Sequence, residues 1–390
     1  MLNVGVFFGG RSCEHEVSVI TGLQIIENMD KEKFNPIPIY LSKDGRYYCG
    51  DILKDFRTFK EGRYNEATEI FLIPQNGDRF LYAVKLVGGI FSKSHTENYI
   101  YARIDAIFPA LHGTFGEDGA IQGLFELMDI PYAGCGVAAG AVGMDKVLMK
   151  EVFKANDIPM MDYIYFYRDE LKNLQNILKK CEALGYPLII KPANLGSSIG
   201  ISKAKDTLEL TKALELAATY DRKIIVEKCL EDFREINVAV LGKDNDLEVS
   251  ACEEPITAEE ILTYEDKYVG DSKTKMASQK NQKKKLPADL TEEIRNKICE
   301  LGKKSFKALD GAGVARIDFL LKDKDVYVNE INTLPGSISF YLFEASGLSF
   351  KDLITKLIEI ALKRYEEKQK NIYSYDSNLF NQTSYGAKLK

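Results

Sequence analysis

Residues 313–336 read GVARIDFLLKDKDVYVNEINTLPG, and this stretch decides the fold. Two runs within it, 314–321 and 326–331, are rich in β-branched and aromatic residues, and a short polar segment separates them. This pattern predicts a β-hairpin. Because successive side chains of a strand point to opposite faces, the register of the hairpin determines which polar side chains meet.

Two registers of this hairpin are open. A three-residue turn pairs Lys322 with Val326 and places Asp318 opposite Glu330. A two-residue turn would place Asp318 opposite Asn329 and divide the polar residues between the two faces. We expect the three-residue turn, because it gathers oxygen ligands and a guanidinium group on one side of the sheet.

The face that this register creates carries Arg316, Asp318, Glu330 and Asn332. Two carboxylates and an amide oxygen, without Cys or His, suit a hard cation that substrate phosphates also hold, namely Mg²⁺. Gly336 follows, and its backbone N–H can closely approach a reacting oxygen. The alternative is a solvated hairpin with ordinary surface charges.

Length and composition exclude several classes of protein. The chain has 390 residues, 45% hydrophobic and 28% charged, which is typical of a soluble globular protein of about two or three domains. Its net charge of −6 provides no basic field for nucleic acid, and no run is apolar enough to span a membrane. The start MLNVGVFFGG predicts a strand and not a signal peptide. Seven scattered cysteines without a CxxC pair indicate reduced thiols in the cytosol.

Two loops near the N-terminus carry candidate binding residues. A buried strand over 3–8 and another over 105–110 each run into a Gly-containing loop and then a helix, the first starting near Val17. Ligands of open α/β sheets lie at the carboxyl ends of such strands, where Glu14 and His112 stand. The alternatives are a glutamate that favours a helix N-terminus and a structural histidine.

The middle of the chain carries a possible phosphate loop. The strand PLIIK, 187–191, leads into PANLGSSIGISK, whose backbone N–H groups can wrap phosphate oxygens, although it is not a Walker loop. Lys191 ends an apolar run and needs a partner, which a phosphate would supply. The next strand, 223–228, is expected to pair with 235–241 as a hairpin.

The segment 261–286 is long and polar, which is typical of a lid or of disorder. Lys267 and Tyr268 stand where a lid would carry substrate contacts. The region 131–143, rich in Gly and Ala, is interpreted as a domain boundary. Helices are expected over 144–156, 291–308 and 350–368, with Ser349 capping the last.

Several motifs recur together in one order, GGRSCEHEVS, LHGTFGEDGAIQG, MDK, IIKPANLGSSIG, YEDKY, ARIDF and NEINTLPG. In this order they resemble the D-alanine–D-alanine ligases, which are ATP-grasp enzymes of bacterial wall synthesis, and the similarity covers 4 to about 362. The resemblance implies an α/β (α+β) fold of three domains with a Rossmann-like N-terminal domain. The expected limits are 1–136, a central subdomain 137–222, a C-terminal subdomain 223–368 and a polar tail 369–390.

The resemblance also implies roles for residues that bind and activate the amino acids. Glu14 corresponds to the carboxylate that holds the amino group of the first D-alanine, in a triad with Ser197 and the lid residue Tyr268. Arg316 and the Gly336 N–H correspond to the groups that stabilise the tetrahedral intermediate. The histidine near the second substrate corresponds to His112.

For the nucleotide and the metal, the implied residues form three sets. The ATP phosphates are contacted by Lys146, Lys191, Lys267 and Ser198. The adenine and ribose are contacted by Glu227, Lys228, Leu230 and Glu235. Two Mg²⁺ (or Mn²⁺) ions are held by Asp318, Glu330 and Asn332.

The chain departs from the family pattern in the second-substrate pocket. The family usually carries a small hydroxyl residue where this sequence has Tyr341, so Ser339 or the Tyr341 hydroxyl would have to substitute. D-Serine is therefore the alternative acceptor to D-alanine. D-Lactate is disfavoured because Tyr268 is present, and a silent ATP-binding sensor is disfavoured because all three metal ligands remain. The family further implies a cytoplasmic homodimer that binds neither nucleic acid nor membrane.

Overall fold

The computed structural model describes residues 1–88, 94–196, 199–256 and 284–375. We use three names for its parts: the N-terminal part to Met144, the central part from Lys146 to Lys228, and the C-terminal part from Arg234 onward. The predicted domain limits stay a prediction. Within the described ranges, no helix combines the length and the apolar character that a membrane span requires.

One mixed sheet forms the N-terminal part. Its strands are β1 (Leu2–Gly9), β2 (Phe34–Leu41), β3 (Tyr47–Cys49), β4 (Thr68–Leu72), β5 (Phe80–Val87), β6 (His95–Arg103) and β7 (Ala106–Pro109). They lie in the order β6-β5-β4-β3-β2-β1-β7. Strand β1 is parallel to β2 and β7, whereas the pairs from β2 to β6 are antiparallel. Because most strand pairs of this sheet are antiparallel, the Rossmann-like character predicted for the N-terminal domain is not confirmed.

The helices of the N-terminal part are α1 (His15–Asn28), α2 (Phe56–Lys60), α3 (Ala120–Leu127) and α4 (Val137–Met144). Helix α1 begins two residues before the predicted start at Val17. The region 131–143, interpreted as a boundary, contains most of α4. Because β1 and β7 are parallel, the loops that follow them leave the same edge of the sheet, and those loops carry Glu14 and His112.

The central part contains an antiparallel sheet of order β10-β9-β11-β8. Its elements are α5 (Lys146–Ala155), β8 (Tyr163–Tyr167), α6 (Leu174–Glu182), β9 (Leu188–Pro192), β10 (Ser202–Ala204), α7 (Thr207–Tyr220) and β11 (Lys223–Lys228). The apolar faces of α6 and α7 cover this sheet, with Ile177 and Leu214 packing near Ile190 and Val226.

The predicted hairpin between 223–228 and 235–241 is wrong. Strand β11 pairs with β8 and β9, and β12 belongs to another sheet. The reason is burial, because Ile224, Ile225 and Val226 are fully buried and need neighbours on both edges and both faces. Local sequence shows two adjacent strands but not which partner each will find.

The C-terminal part contains an antiparallel sheet of order β13-β12-β16-β17 and a small strand pair. Its elements are β12 (Arg234–Lys243), β13 (Asp246–Val249), β14 (Glu254–Pro255), β15 (Lys284–Lys285), α8 (Glu292–Ala308), β16 (Ala312–Lys322), β17 (Asp325–Asn332), α9 (Phe340–Glu344) and α10 (Phe350–Lys368). Ser349 caps α10 as expected, since its side chain accepts a hydrogen bond from Asp352 N. Thr291 caps α8 in the same way.

The turn between β16 and β17 differs from the prediction. Lys322 pairs with Asp325 around a two-residue turn, so the expected three-residue turn is wrong. Asp323 in this turn has φ 53°, the left-handed conformation that hairpin turns of this length need and that Asp tolerates.

A β-bulge nevertheless restores the predicted pairing. Phe319 lies opposite Val328, and the register then shifts so that Asp318 lies opposite Glu330. Asn329 is the extra residue that the bulge absorbs. The predicted pairing of Asp318 with Glu330 is therefore confirmed by a different route.

A continuous core ties the N-terminal part to the C-terminal part. Phe8 and Val19 belong to the same buried cluster as Leu241 and Leu353, so β1 and α1 pack against α10 and the β12–β16 region. Gly22 allows α1 to lie close to β1 within this core, because a Cβ there would lie 2.5 Å from Cγ of Phe8.

We predict that Gly22→Ala destabilises the protein by about 1–2 kcal/mol, because overpacking against a buried ring outweighs the gain in helix propensity. Urea unfolding followed by circular dichroism measures the change. Gly123→Ala on α3 is the matched control, since a Cβ there meets no atom within 4 Å. The control should be neutral or stabilising by up to about 1 kcal/mol. Equal stability of the two variants would contradict the packing argument.

Candidate active site

A cleft of about 800 Å³, open solvent included, collects residues from all three parts of the chain. The N-terminal loops and α5 form one side, and the β16–β17 hairpin with the segment after it forms the other. Of the predicted site residues, those that line the cleft are Glu14, His112, Lys146, Arg316, Glu330, Asn332 and Gly336. A cleft in which polar and charged side chains from separate parts of the chain converge is a candidate small-molecule site.

The guanidinium of Arg316 and the carboxylate of Asp318 form the centre of the hairpin face. Arg316 donates from Nε to Oδ1 and from Nη2 to Oδ2, each at 2.7 Å. The Asn332 amide also donates to Oδ2 of Asp318, at 3.3 Å. Burial disfavours the charge of Arg316, but Asp318 more than offsets this and holds the pKa of Arg316 well above its usual value.

The predicted metal ligands share this face and are chemically suited to Mg²⁺. Asp318, Glu330 and Asn332 offer oxygen donors without a competing thiol or imidazole. Among the described residues, no group of three or more His, Cys, Asp or Glu could hold a metal ion by itself. A cation here would depend on the amide and on phosphate oxygens, and Asp318 would have to exchange part of its contact with Arg316.

Three lysines and one glutamate form a buried charge cluster beside the hairpin. Lys191 Nζ donates to Oε2 of Glu227 at 3.0 Å, and Lys150 Nζ lies 3.5 Å from Oε1. Lys146 Nζ donates to the carbonyl of Leu195 and lies 3.8 Å from Oε2 of Glu330. The cluster therefore connects the central part with the predicted metal face.

The charges of this cluster shift one another's pKa values. Burial would raise the pKa of Glu227, but Lys150 and Lys191 lower it to about 2. Burial lowers the pKa of Lys150, since the side chain is 1% exposed. Burial acts on Lys191 as well, but Glu227 and Glu330 hold its pKa above the usual value. Two lysines thus share one carboxylate, which leaves an excess of positive charge.

The residues assigned to adenine and ribose lie in different settings. Glu227 is buried among the lysines, whereas Lys228 donates to the carbonyls of Gly185 and Tyr186 at 2.7 and 2.9 Å. Leu230 and Glu235 are half-buried at the crossing from β11 to β12.

Of Glu14, His15 and Glu16, which stand where the loop after β1 meets α1, only Glu14 lines the cleft. Glu14 lies near Gly196, since a Cβ on that glycine would be 3.3 Å from Oε1 of Glu14. His15 is structural: its Nδ1 lies 2.7 Å from the Gly10 carbonyl, and burial lowers its pKa. Glu16 is exposed and paired with Lys43.

His112 is buried at the back of the cleft. Its Nε2 lies 2.9 Å from Oγ1 of Thr21, and its Nδ1 lies 3.1 Å from the Leu334 carbonyl and 3.3 Å from Oε1 of Glu117. The Thr21 oxygen also accepts from Ser337 N at 3.2 Å. Sequence reasoning predicted His112 and missed Thr21 and Glu117.

The two candidates for the second-substrate pocket do not line the cleft. Tyr341 donates from its hydroxyl to Oε2 of Glu253 at 2.8 Å, and Lys284 Nζ lies 3.9 Å from its ring centroid. Ser339 is fully buried, and its hydroxyl has no hydrogen-bond partner among the described atoms.

Four predicted site residues lie outside the described residues: Ser197, Ser198, Lys267 and Tyr268.

The sequence prediction missed Lys150, although its spacing from Lys146 could have indicated it. It stands four residues after Lys146 and so projects from the same side of α5. No comparable sequence pattern indicated the buried carboxylate of Glu253, because only the pairing of separate segments brings it beside Asn237.

Comparisons with known proteins agree with this geometry. The family model described as "D-ala D-ala ligase N-terminus" matches residues 3–135, and "D-ala D-ala ligase C-terminus" matches residues 152–359. The D-alanine–D-alanine ligase of Thermosipho africanus is 40% identical over 385 residues, 97% of this chain and 98% of that protein.

Solved structures show the same fold. The D-alanine–D-alanine ligase of Coxiella burnetii superposes with a TM-score of 0.77 at 31% identity, covering 95% of this chain and 96% of that one. The VanG D-Ala:D-Ser ligase of Enterococcus faecalis superposes with a TM-score of 0.76 at 28% identity, covering 92% and 99%. With two family models matched and 40% identity to a curated relative over nearly the whole chain, this protein belongs to the D-alanine–D-alanine ligase family and has its ATP-grasp fold.

Proposed function

We propose that the chain joins two D-alanines into D-alanyl-D-alanine while ATP is converted to ADP and phosphate, as a step of peptidoglycan precursor synthesis. The observation that carries this proposal is the face on which Arg316, Asp318, Glu330 and Asn332 meet beside the open backbone of Gly336. Membership of the ligase family identifies the reaction to which this face belongs.

The first step has to make a carboxylate electrophilic. ATP transfers its terminal phosphoryl group to the carboxylate of the first D-alanine, which gives an acyl phosphate. Lys146 and Lys191 are placed to neutralise the phosphates, because their cluster holds more positive charge than Glu227 balances. Mg²⁺, when bound by Asp318, Glu330 and Asn332, would supply charge neutralisation and orientation of the phosphates.

The second step needs a donor for the negative oxygen that develops at the attacked carbon. The amine of the second D-alanine attacks the acyl carbon, and phosphate leaves. Arg316 uses Nε and Nη2 towards Asp318, so we assign its remaining Nη1 to this oxygen together with the Gly336 N–H. The space next to Gly336 is open, because a Cβ there would meet no atom within 4 Å.

Glu14 is assigned to the amino group of the first D-alanine, because it lines the cleft from the edge of the N-terminal sheet. His112 is assigned to the neighbourhood of the second substrate. We assign D-alanine and not D-serine as the acceptor, since the D-alanine–D-alanine ligases of Thermosipho africanus and Coxiella burnetii are 40% and 31% identical to this chain, whereas the D-Ala:D-Ser ligase is 28% identical. A cytoplasmic location and a homodimer complete the proposal and rest on the family alone.

The direct test is to supply ATP, Mg²⁺ and an equimolar pool of D-alanine, D-serine and D-lactate, and to identify the products by mass. We expect D-alanyl-D-alanine as the main product, with one phosphate released per dipeptide. A D-alanyl-D-serine majority would replace the proposed acceptor. ATP turnover without any condensed product would overturn the ligase assignment.

We predict that Glu14→Gln raises KM for D-alanine by about 10-fold or more, because the neutral amide loses a charge-assisted hydrogen bond to the ammonium group. KM for ATP should stay within about threefold of wild type. Initial rates of phosphate release measure both constants. Glu16→Gln is the matched control and should change neither, since Glu16 is exposed and paired with Lys43. Equal effects of the two substitutions would remove Glu14 from the site.

We predict that Glu227→Gln lowers the free energy of unfolding at neutral pH, and that its difference from wild type becomes smaller at acidic pH. The pKa of Glu227 in the folded protein, about 2, lies below the ordinary value of 4.5. The ionised carboxylate therefore stabilises the folded state above pH 4.5, and this stabilisation is lost as pH falls towards 2. The difference from wild type should be on the order of 3 kcal/mol at pH 7. Urea unfolding at pH 7, 5 and 4 measures it.

The control for this series is Glu248→Gln. Glu248 also pairs with a lysine, Lys356, but its side chain is 55% exposed. An exposed pair is worth about 0–1 kcal/mol, so the control should lie close to wild type at each pH. If the loss of unfolding free energy in Glu227→Gln stays the same as pH falls from 7 to 4, then lost packing, and not lost charge, accounts for it.

A further inference from the structure

A chain of hydrogen bonds connects α1, the loop after β7 and the segment after β17. Ser337 N–H donates to Oγ1 of Thr21, Thr21 lies 2.9 Å from Nε2 of His112, and Nδ1 of His112 lies 3.1 Å from the Leu334 carbonyl. Thr21 is fully buried and His112 is 2% exposed, so water does not compete for these contacts. This chain of bonds ends at Leu334 and at Ser337, and Gly336 lies between these two residues in the sequence.

The partners determine where the hydrogens lie. The Leu334 carbonyl can only accept, so Nδ1 of His112 must carry a hydrogen. Ser337 N–H can only donate, so the Thr21 oxygen accepts there, and the Thr21 hydroxyl hydrogen is available to Nε2 of His112. In this arrangement His112 carries a hydrogen on Nδ1, which Glu117 beside that nitrogen also favours, and accepts at Nε2.

The backbone that begins at Ser337 is strained. Ser337, Ile338 and Ser339 have φ values of 50°, 49° and 52°, in the left-handed region that residues with a Cβ avoid. Such a conformation persists only where its surroundings hold it. The bonds from Thr21 and His112 hold the start of this turn, directly beside Gly336.

We propose that Thr21 is a positioning residue for the ligation reaction. Its hydroxyl donates to Nε2 of His112, which holds the ring against the Leu334 carbonyl, and accepts from Ser337 N–H, so that the Gly336 N–H stays directed into the cleft. Both ring nitrogens of His112 are occupied in this arrangement, so His112 orients the turn and does not transfer a proton. The inference rests on the proposed function, because the Gly336 N–H is assigned to the developing oxyanion.

The first test measures the tautomer directly and needs no activity. The chain has three histidines, so ¹⁵N-histidine NMR resolves each ring, and His112→Gln identifies the signal of His112. We expect a protonated Nδ1 and a bare Nε2 for His112. His15 should show the same form, since its Nδ1 faces the Gly10 carbonyl, whereas His95, whose Nε2 lies 3.1 Å from Oε1 of Glu97, is the solvent-exposed reference. A hydrogen on Nε2 of His112 would overturn the inference.

The second test compares Thr21→Val, which keeps the shape and removes the hydroxyl, with Thr21→Ser, which keeps the hydroxyl. Thr21→Val should lower kcat for dipeptide synthesis by about 10- to 100-fold with KM for ATP nearly unchanged, because a small displacement of an oxyanion donor is costly. In the same variant Nε2 of His112 loses its donor, so the ¹⁵N signal of Nε2 should shift while Nδ1 keeps its hydrogen. Thr21→Ser should behave as wild type in both measurements.

Unchanged His15 and His95 signals in Thr21→Val would show that the variant is folded. An unchanged kcat in that variant, or an equal loss in Thr21→Ser, would overturn the positioning role. A wild-type protein that makes no dipeptide would defeat the proposed function instead, and the histidine spectrum would still decide the role of the Thr21 hydroxyl.

Discussion

The bidentate pair between Arg316 and Asp318 is the interaction on which the rest of the site depends. Arg316 and Asp318 stand two residues apart on β16, so they share a face, and β17 adds Glu330 and Asn332 to it only if the strands pair in one particular register. The β-bulge at Asn329 supplies that register. A shift by one residue would turn the side chains of β17 to the opposite face and separate the carboxylates.

Excess positive charge is the second constraint. Lys150 and Lys191 are buried against the single carboxylate of Glu227, and Lys146 reaches towards Glu330. Burying cations without full compensation is costly, so the arrangement suits a polyanionic ligand that completes the balance. The same cluster lies next to the hairpin face, as the proposed phosphoryl transfer to a bound carboxylate requires.

The shared core explains why loops far apart in sequence can act together. Because β1 and α1 pack against α10, Thr21 on α1 lies against the turn after Gly336, although Gly336 stands 315 residues later in the chain. His112 reaches the same turn from the loop after β7. A strained left-handed turn is then held from two directions, so side chains that need not touch the substrate maintain the backbone geometry at the proposed reacting centre.

The sequence by itself determined the family, the order of most elements, the cap at Ser349 and the two strands that carry Asp318 and Glu330, because ordered motifs, apolar periodicity and strand alternation are local properties. It did not determine the turn length, the bulge at Asn329, the partner of β11, or the contacts of Thr21 and Tyr341. Those depend on which surfaces become buried together, since pairing of strands and meeting of helices from distant parts of the chain is decided by the packed core and not by neighbours in sequence.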